Sequence, residues 1–478
     1  MSEKPNVLMI NVDHWPAALM GYAGNTQIMT PTMDALAKAG ISYSNFYSAC
    51  PVCIPARRSL MTGLSTRSHG DRVFNASLPM PNVTTLAQAF RDNGYQAYAV
   101  GKLHVYPQRD RIGFDDVILQ EEGRVLDNTV DDYQIWLGDR GYAGQEFMHG
   151  MGNNSYYTRT WHLPEDVHPT NWATDQMVRQ IKRKDPTRPA FYYISYQHPH
   201  PPLVPPESYW SMYEDGEIDD PVYGDWLDDS FIMQTMTAPG RIYSKKEMRL
   251  AKRAFYALIT HIDHQMRVLF GTLRETGLIK NTLVVFTSDH GDMLFDHHMV
   301  AKRTFYEGSA NIPLVISGPP LAEYSGTKDT RLGCHEDIMP TILELCGIKP
   351  PSGIDGISLV GDTRRQMLYC EISEGNSATR MVRDDRYKLI YYPAGNVSQL
   401  FDMREDPNEL RNIAMLPENE AVRDKLTKFL IANLYNGDEN WVSEGRLVGL
   451  KAPEYKEKHK FDFQNQRGLH WPPPVKLS

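Results

Sequence analysis

Short continuous apolar runs alternate with amphipathic stretches through most of the chain. The runs are Val7 to Val12, Ala97 to Val100, Phe191 to Tyr196, Leu283 to Thr287 and Pro313 to Ser317. Each lacks the alternation of a strand with one wet face, so each predicts a strand covered on both faces. Helix candidates with recognisable ends lie between them. Pro31 follows Thr30 at a first helical position and Gly40 closes that stretch; Thr84 or Thr85 caps another that stops at Gly94. The longest, from about Ser244 to Gly277, carries Met248, Ala251, Phe255, Leu258, Ile259, Ile262, Met266, Leu269 and Leu273 at spacings of three and four. That is the stripe of a helix lying on a core. Strands alternating with helices predict an α/β fold with a large, doubly wound, mostly parallel sheet.

The pattern changes after about residue 362. Tyr387 to Tyr392 reads as an antiparallel strand and residues 421–434 as a helix, which predicts a smaller C-terminal α+β domain. The expected division is 1–362 for the large domain, 363–436 for the small one and 437–478 as a wrapping arm or tail. That last stretch is polar and ends Trp471-Pro472-Pro473-Pro474. It offers a route to a homo-oligomer, although nothing in its composition requires one.

Nearly every apolar run ends in reactive polar residues. Val12 is followed by Asp13-His14, Val100 by Gly101-Lys102-Leu103-His104, Tyr196 by Gln197-His198-Pro199-His200, and Thr287 by Ser288-Asp289-His290-Gly291-Asp292. Ligands of doubly wound sheets bind just beyond the carboxyl ends of the strands, so these residues are expected to share one crevice. Cys53 opens a helix-like segment ending at Gly63, where exposed N–H groups and the helix dipole favour anions and thiolates. Arg57, about one turn on, suits a tetrahedral oxyanion. The same residues also fit a buried cysteine beside a surface arginine. Cys50 adds a Cys-x-x-Cys spacing, but no second pair matches it for a zinc site. Asp13, Asp289 and His290 suit one divalent cation: oxygen donors favour Ca²⁺, Mg²⁺ or Mn²⁺, and an imidazole moves the preference toward Mn²⁺ or Zn²⁺. Helix caps and surface ion pairs remain the alternative for these acids. Lys102, His104, His200 and Lys302, if gathered, make a cationic pocket for an anionic substrate.

Composition narrows the class. The net charge of −9 excludes general attraction to nucleic acid. The apolar runs are too short to span a bilayer. Five cysteines in 478 residues exclude a disulfide scaffold. Together with a start that lacks a basic, cleavable leader, they lead us to expect a cytoplasmic protein.

Cys53-x-Pro55-x-Arg57, followed by Ser59-Leu60-Met61-Thr62-Gly63, resembles the signature of type I sulfatases in the alkaline phosphatase superfamily. Asn6 to Asp13, Gly101-Lys102-x-His104, Pro199-His200-x-Pro202, Ser288-Asp289-His290-Gly291 and Lys302 with Phe305-Tyr306-Glu307-Gly308 resemble the family's other motifs, in family order. Arg386 to Leu389, Leu400 to Asp402 and Asp406-Pro407 resemble its C-terminal domain, so the likeness covers roughly residues 5 to 415.

The resemblance implies a hydrolase of sulfate monoesters, of a carbohydrate or an aryl alcohol. It implies that Cys53 is oxidised to formylglycine by a separate maturation enzyme, and that the hydrated aldehyde supplies the nucleophilic oxygen. Carried over, Arg57 steadies residue 53, and Asp13, Cys53, Asp289 and His290 hold one divalent metal. Lys102 and Lys302 bind sulfate oxygens, His200 protonates the leaving group, and His104 helps break down the covalent sulfate hemiacetal. Many members carry Asp-Asp at the first strand end and Asn after the later Asp; here His14 and His290 stand there, which favours Mn²⁺ over Ca²⁺. A related branch, the phosphonate monoester hydrolases and phosphodiesterases, also lacks the second Asp and is the alternative reading. Lys102 and His104 lean toward sulfatase. A third reading, a binding protein without turnover, is opposed by the intact nucleophile, metal and cationic sets. For substrate recognition the sequence nominates His69, Arg72 and Asn75 after the signature helix, with Arg72 facing an acidic sugar. Tyr142, Tyr156, Tyr157, Trp161 and His162 serve either as stacking surfaces or as loop packing.

Overall fold

The computed structural model describes residues 4–124, 126–228, 230–236 and 243–455. The Pro-rich end at 471–474, and with it most of the expected tail, lies outside the described residues. The apolar runs form the large sheet: β1 (Asn6–Asp13), β2 (Ile41–Tyr43), β3 (Gln96–Gly101), β4 (Asp116–Leu119), β5 (Ala190–Pro199), β6 (Thr282–Ser288), β7 (Leu314–Ser317) and β8 (Thr327–Asp329). Their order across the sheet is β4-β3-β5-β1-β6-β7-β2-β8. The strands from β4 to β6 are mutually parallel; β7 runs opposite to both its neighbours. Parallel neighbours need a return crossing between them. Residues 289–313 make no such crossing. They stay at the carboxyl end of β6, so β7 is entered from that end and must run back.

Successive side chains of β1 point to opposite faces. Leu8, Ile10 and Val12 join a core completed by Phe255, Leu258 and Ile262; Val7 and Met9 join a second with Leu60, Met61, Ile338 and Ile342. The helices packed in these two cores are α1 (Pro31–Lys38), α2 (Cys53–Thr62), α3 (Pro169–Lys182), α4 (Lys245–Glu275) and α5 (Ile338–Leu345). The ends follow the sequence signals. Ser244 and Glu247 form a reciprocal capping box at the start of α4. Gly63 takes φ 67° after α2, a conformation that costs a residue with a Cβ far more.

The C-terminal sheet, β9 (Leu368–Ile372), β10 (Thr379–Arg383), β11 (Tyr387–Tyr392) and β12 (Val397–Asp402), is a simple antiparallel meander. Helix α6 (Glu420–Asn433) buries Leu426 and Leu430 against it, with Trp441 in the same cluster. The chain beyond 436 therefore continues into this packing: Val442–Ser443 and Arg446–Leu447 pair as a short hairpin, and Gly395 N–H donates to the Leu450 carbonyl. Among the described residues no helix is long and apolar enough to cross a membrane.

Candidate active site

The strand ends converge as their shared direction requires. Asp13 and His14 leave β1, Lys102 leaves β3, His200 follows β5, and Asp289 and His290 leave β6; all are buried. Gly101 makes this crowding possible. A Cβ there would stand 2.1 Å from the Ser195 carbonyl oxygen of β5, so only glycine lets the two strands close up beside Lys102. Cys53 enters from the side, as the first residue of α2. Its Sγ lies 3.2 Å from His290 Nε2 and 4.0 Å from Asp13 Oδ1.

Arg57 ties the strand ends together. Nε donates to Asp289 Oδ2 at 2.9 Å, and Nη1 to the Lys102 carbonyl and Ser195 Oγ at 2.7 and 2.8 Å. Nη2 lies 3.5 Å from Asp13 Oδ2 without a hydrogen bond. The Lys102 ammonium donates to Asp13 Oδ2 and Glu122 Oε1. Lys302 arrives from the 289–313 segment and sets Nζ 2.5 Å from His14 Nε2 and 3.2 Å from His200 Nε2.

One donor atom from each of Asp13, Cys53, Asp289 and His290 lies within 4.8 Å of all the others. His290 Nε2 stands 3.6 Å from Asp13 Oδ1 and 3.8 Å from Asp289 Oδ1. His290 Nδ1 lies 3.0 Å from the Gly291 carbonyl, which leaves Nε2 as the donor atom facing the acids. Two carboxylates and an imidazole with a fourth donor fit a hard or borderline divalent ion. The electrostatics agree with a site built around charge. Burial opposes ionisation of Asp13, yet Lys102, His200, His14 and Arg57 hold its carboxyl well below the usual range. Burial and Asp13 push the Cys53 thiol up, but Lys302, Lys102 and His290 outweigh them and lower it. Burial, Lys302 and His14 hold His200 well below the ordinary histidine value. His14 is pushed down to about 4 by burial, Lys302 and His290, against its bond to Asp292.

His104 borders the cluster in the left-handed region, φ 61°. Glu121 Oε1 accepts from the N–H groups of both Leu103 and His104, at 2.9 and 2.8 Å, and so sets that bend. Burial raises Glu121 to about 8 against the pull of Lys102. Among the described residues neither ring nitrogen of His104 has a hydrogen-bond partner, and Phe74 meets the ring edge-on at 5.6 Å.

Not every nominated residue joins the site. Arg72 does not: Nη1 binds Glu371 and Asp438 at 3.0 and 2.8 Å, Nε binds Glu374 at 3.1 Å, and Nη2 reaches Asp438. Every nitrogen of the guanidinium is thus engaged by a carboxylate of the protein, which leaves no two-pronged face for a sugar carboxylate. Both ring nitrogens of His69 are occupied within the fold, Nε2 3.0 Å from Ser59 Oγ of α2 and Nδ1 accepting from Asp71 N–H. Asn75 is exposed and accepts from the Ser77 N–H, beside the Phe74 that touches His104. Tyr156 is buried with its hydroxyl on Asp292, and Trp161 packs on His162 and His168. Glu121 and Glu122 carry no role in the sequence reading, and Asp292 appears there only as part of the run after Thr287. The first two follow Ile118-Leu119, the end of β4, and carry the same apolar-then-acid signal as the other strands.

A family model described as Sulfatase matches residues 5–348, and one for the C-terminal region of N-sulphoglucosamine sulphohydrolase matches residues 295–435. An arylsulfatase of Clostridium perfringens is 33% identical over 468 residues, covering 93% of this chain and 97% of its own. A choline-sulfatase of Rhizobium meliloti is 31% identical, covering 89% and 85%. The phosphonate monoester hydrolase of Agrobacterium radiobacter shares the fold, with a TM-score of 0.76 at 24% identity over 90% of this chain and 95% of that one. With strand ends, signature helix and C-terminal meander all falling inside those matches, the chain belongs to the sulfatase family and is a sulfuric ester hydrolase.

Proposed function

We propose that the enzyme hydrolyses a sulfate monoester of a carbohydrate or an aryl alcohol, with Cys53 converted to formylglycine and one divalent metal held by Asp13, Asp289, His290 and residue 53. The observation that carries this reading is the ring of groups around Cys53 Sγ: His290 and Asp13 on one side, with Lys102 and Lys302 close enough to lower the thiol. A metal bound there lowers the pKa of a hydroxyl and offsets charge on the sulfate. Formylglycine, once hydrated, supplies that hydroxyl.

The remaining roles belong to side chains. Lys102 and Lys302 receive the sulfate oxygens, where charge grows as the ester bond breaks. His200 sits within bonding reach of Lys302, with Nδ1 2.6 Å from the Pro201 carbonyl. That contact puts the Nδ1 hydrogen on the carbonyl and leaves Nε2 to protonate the leaving oxygen. An anionic substrate between the two raises the depressed affinity of His200 for a proton, so the acid is charged when it is needed. His104, whose ring nitrogens are unpartnered among the described residues, takes a proton from the hydroxyl at residue 53 in this reading. Arg57 fixes Asp289 and the Lys102 backbone in register with these groups.

The phosphonate or phosphodiester reading uses the same scaffold, and the shared fold of the Agrobacterium enzyme keeps it in play. Lys102 and His104 favour the sulfatase. The test is a pair of rates, on 4-nitrophenyl sulfate and on 4-nitrophenyl phenylphosphonate, with formylglycine at residue 53 verified by mass and bound metal measured. Faster sulfate release with Mn²⁺, or Mn²⁺ and Ca²⁺ together, is expected. Faster phosphonate cleavage removes the sulfatase reading, and a full complement of Ca²⁺ alone removes the Mn²⁺ preference.

A further inference from the structure

His14 has no role in the chemistry above, yet it is buried among the reacting groups at φ 68°. Its Nδ1 lies 2.8 Å from Asp292 Oδ2. Asp292 is approached by four donors: His14 and the Tyr156 hydroxyl at Oδ2, and the N–H groups of Leu294 and Ala301 at Oδ1, at 2.9 and 3.0 Å. A carboxylate so placed accepts and does not give, so Nδ1 carries the ring hydrogen and Nε2 presents a lone pair. That lone pair faces Lys302 Nζ at 2.5 Å. His14 also forms a three-donor group with Asp13 and His200. The Lys302 ammonium already lies against two of those donors, where a second cation would have to displace it.

We propose that His14 is a positioning residue that holds the Lys302 ammonium at the sulfate pocket, oriented by Asp292 and Tyr156, and is not a metal ligand. The proposal rests on the reading of Lys302 as a sulfate-binding group. A lysine head on a four-carbon stem loses its aim readily. Here Asp292 ties it at both ends: Oδ1 holds the N–H of Ala301, the residue before Lys302, and Oδ2 fixes the histidine that accepts from Nζ. Charge fixed in place before the substrate binds acts on the transition state without reorganisation.

The test uses the full-length protein with formylglycine at residue 53 verified by mass. We would measure kcat and KM for 4-nitrophenyl sulfate, and metal per chain, in wild type, His14→Leu, His14→Gln, Asp292→Asn and the double variant His14→Leu/Asp292→Asn. A glutamine oxygen can accept from Lys302 in place of Nε2; leucine cannot. An asparagine amide at 292 donates to Nδ1 and moves the ring hydrogen to Nε2, against the ammonium.

Metal content is expected to stay at the wild-type level throughout. His14→Leu should lower kcat about 100-fold, the scale set by loss of alignment at a reacting centre. His14→Gln should recover to within about tenfold of wild type, since it restores a hydrogen bond to a charged group. Asp292→Asn should fall with the leucine variant and add less than about threefold to it, because the two act through one contact. Loss of metal from His14→Leu would make His14 a ligand and overturn the proposal. So would His14→Gln no better than His14→Leu, or every variant within about threefold of wild type. Should His14→Leu not fold, Asp292→Asn as active as His14→Gln overturns it. If wild type leaves the sulfate intact and cleaves 4-nitrophenyl phenylphosphonate, the sulfatase reading fails alone, and the same ordering is read on the phosphonate.

Discussion

Two clusters of buried charge, one around Arg57 and the other around Arg72, use the same residue types to opposite ends. Around Arg72 every guanidinium nitrogen meets a carboxylate, and Arg380 repeats the arrangement on Asp438 and Glu371. Tyr435 lies under Arg72 and bonds Glu371. The cluster joins the loop after α2 to the C-terminal meander and to residues 435–438. Around Arg57 the accounts are left open. Among the described residues Nη2 and both nitrogens of His104 are unsatisfied, and two lysines press on a cysteine whose thiol they lower. Buried polar groups are nearly always paired; unpaired atoms also occur elsewhere, at His168 and His261 for instance, so it is their gathering at the strand ends beside Cys53 that marks a place where a partner is expected to arrive. Identical side chains thus act as a staple when matched atom for atom and as a site when they are not.

The contrast can be broken by substitution. Cys53→Ala should bring turnover down by about 10⁴-fold or more, the scale for removal of a nucleophile. It should leave the unfolding free energy, measured in urea, within about 1 kcal/mol of wild type, because one small buried atom is lost. A protein that turns over normally without Cys53 would place the chemistry elsewhere. His104→Ala should cost about 100-fold in kcat/KM, the lower range for a lost proton-transfer group, and should lower stability only by the lost packing of the ring, about 1–2 kcal/mol, since no hydrogen bond of the ring is broken. A large loss of stability there would mean the ring is structural. Arg72→Ala should do the reverse. Removing one partner of a matched buried set costs about 3–5 kcal/mol, read as a lowered unfolding midpoint. Turnover of the folded enzyme, on an acidic sugar sulfate included, should change by less than about threefold, because no substrate contact is removed. A selective rise in KM for acidic sugars would return Arg72 to the substrate pocket.

Much of the site was legible because continuous apolar runs mark parallel strands, and parallel strands end at one edge. The residues after β1, β3, β5 and β6 could be grouped without knowing any distance. Local signals served equally well at the helix ends: Thr85 accepts from Gln88 N–H at the start of Leu86–Asp92, and Ser244 opens α4. The readings that did not carry over depend on contacts far apart in the chain. Arg72 and Glu371 are 299 residues apart, so an arginine just past the signature helix reads as a substrate ligand when its partners lie in another domain. Glu121 and Glu122 were passed over because β4 is short and only half-buried, so its pattern falls below that of the central strands.

The order of apolar runs and polar punctuation determined the doubly wound sheet, the edge at which chemistry gathers, and the placement of Cys53 at a helix start. These are properties of periodicity and of backbone direction, which each short segment carries in itself. Only the tertiary structure decided which polar groups at that edge are satisfied. It set Arg57 among three strand ends, used up Arg72 in a staple, left His104 bare, and turned His14 toward Lys302 and away from the four-donor cluster. Satisfaction is a matter of distances between atoms brought together by packing. A side chain's residue type states what it can bond to, and the fold alone states what is within reach.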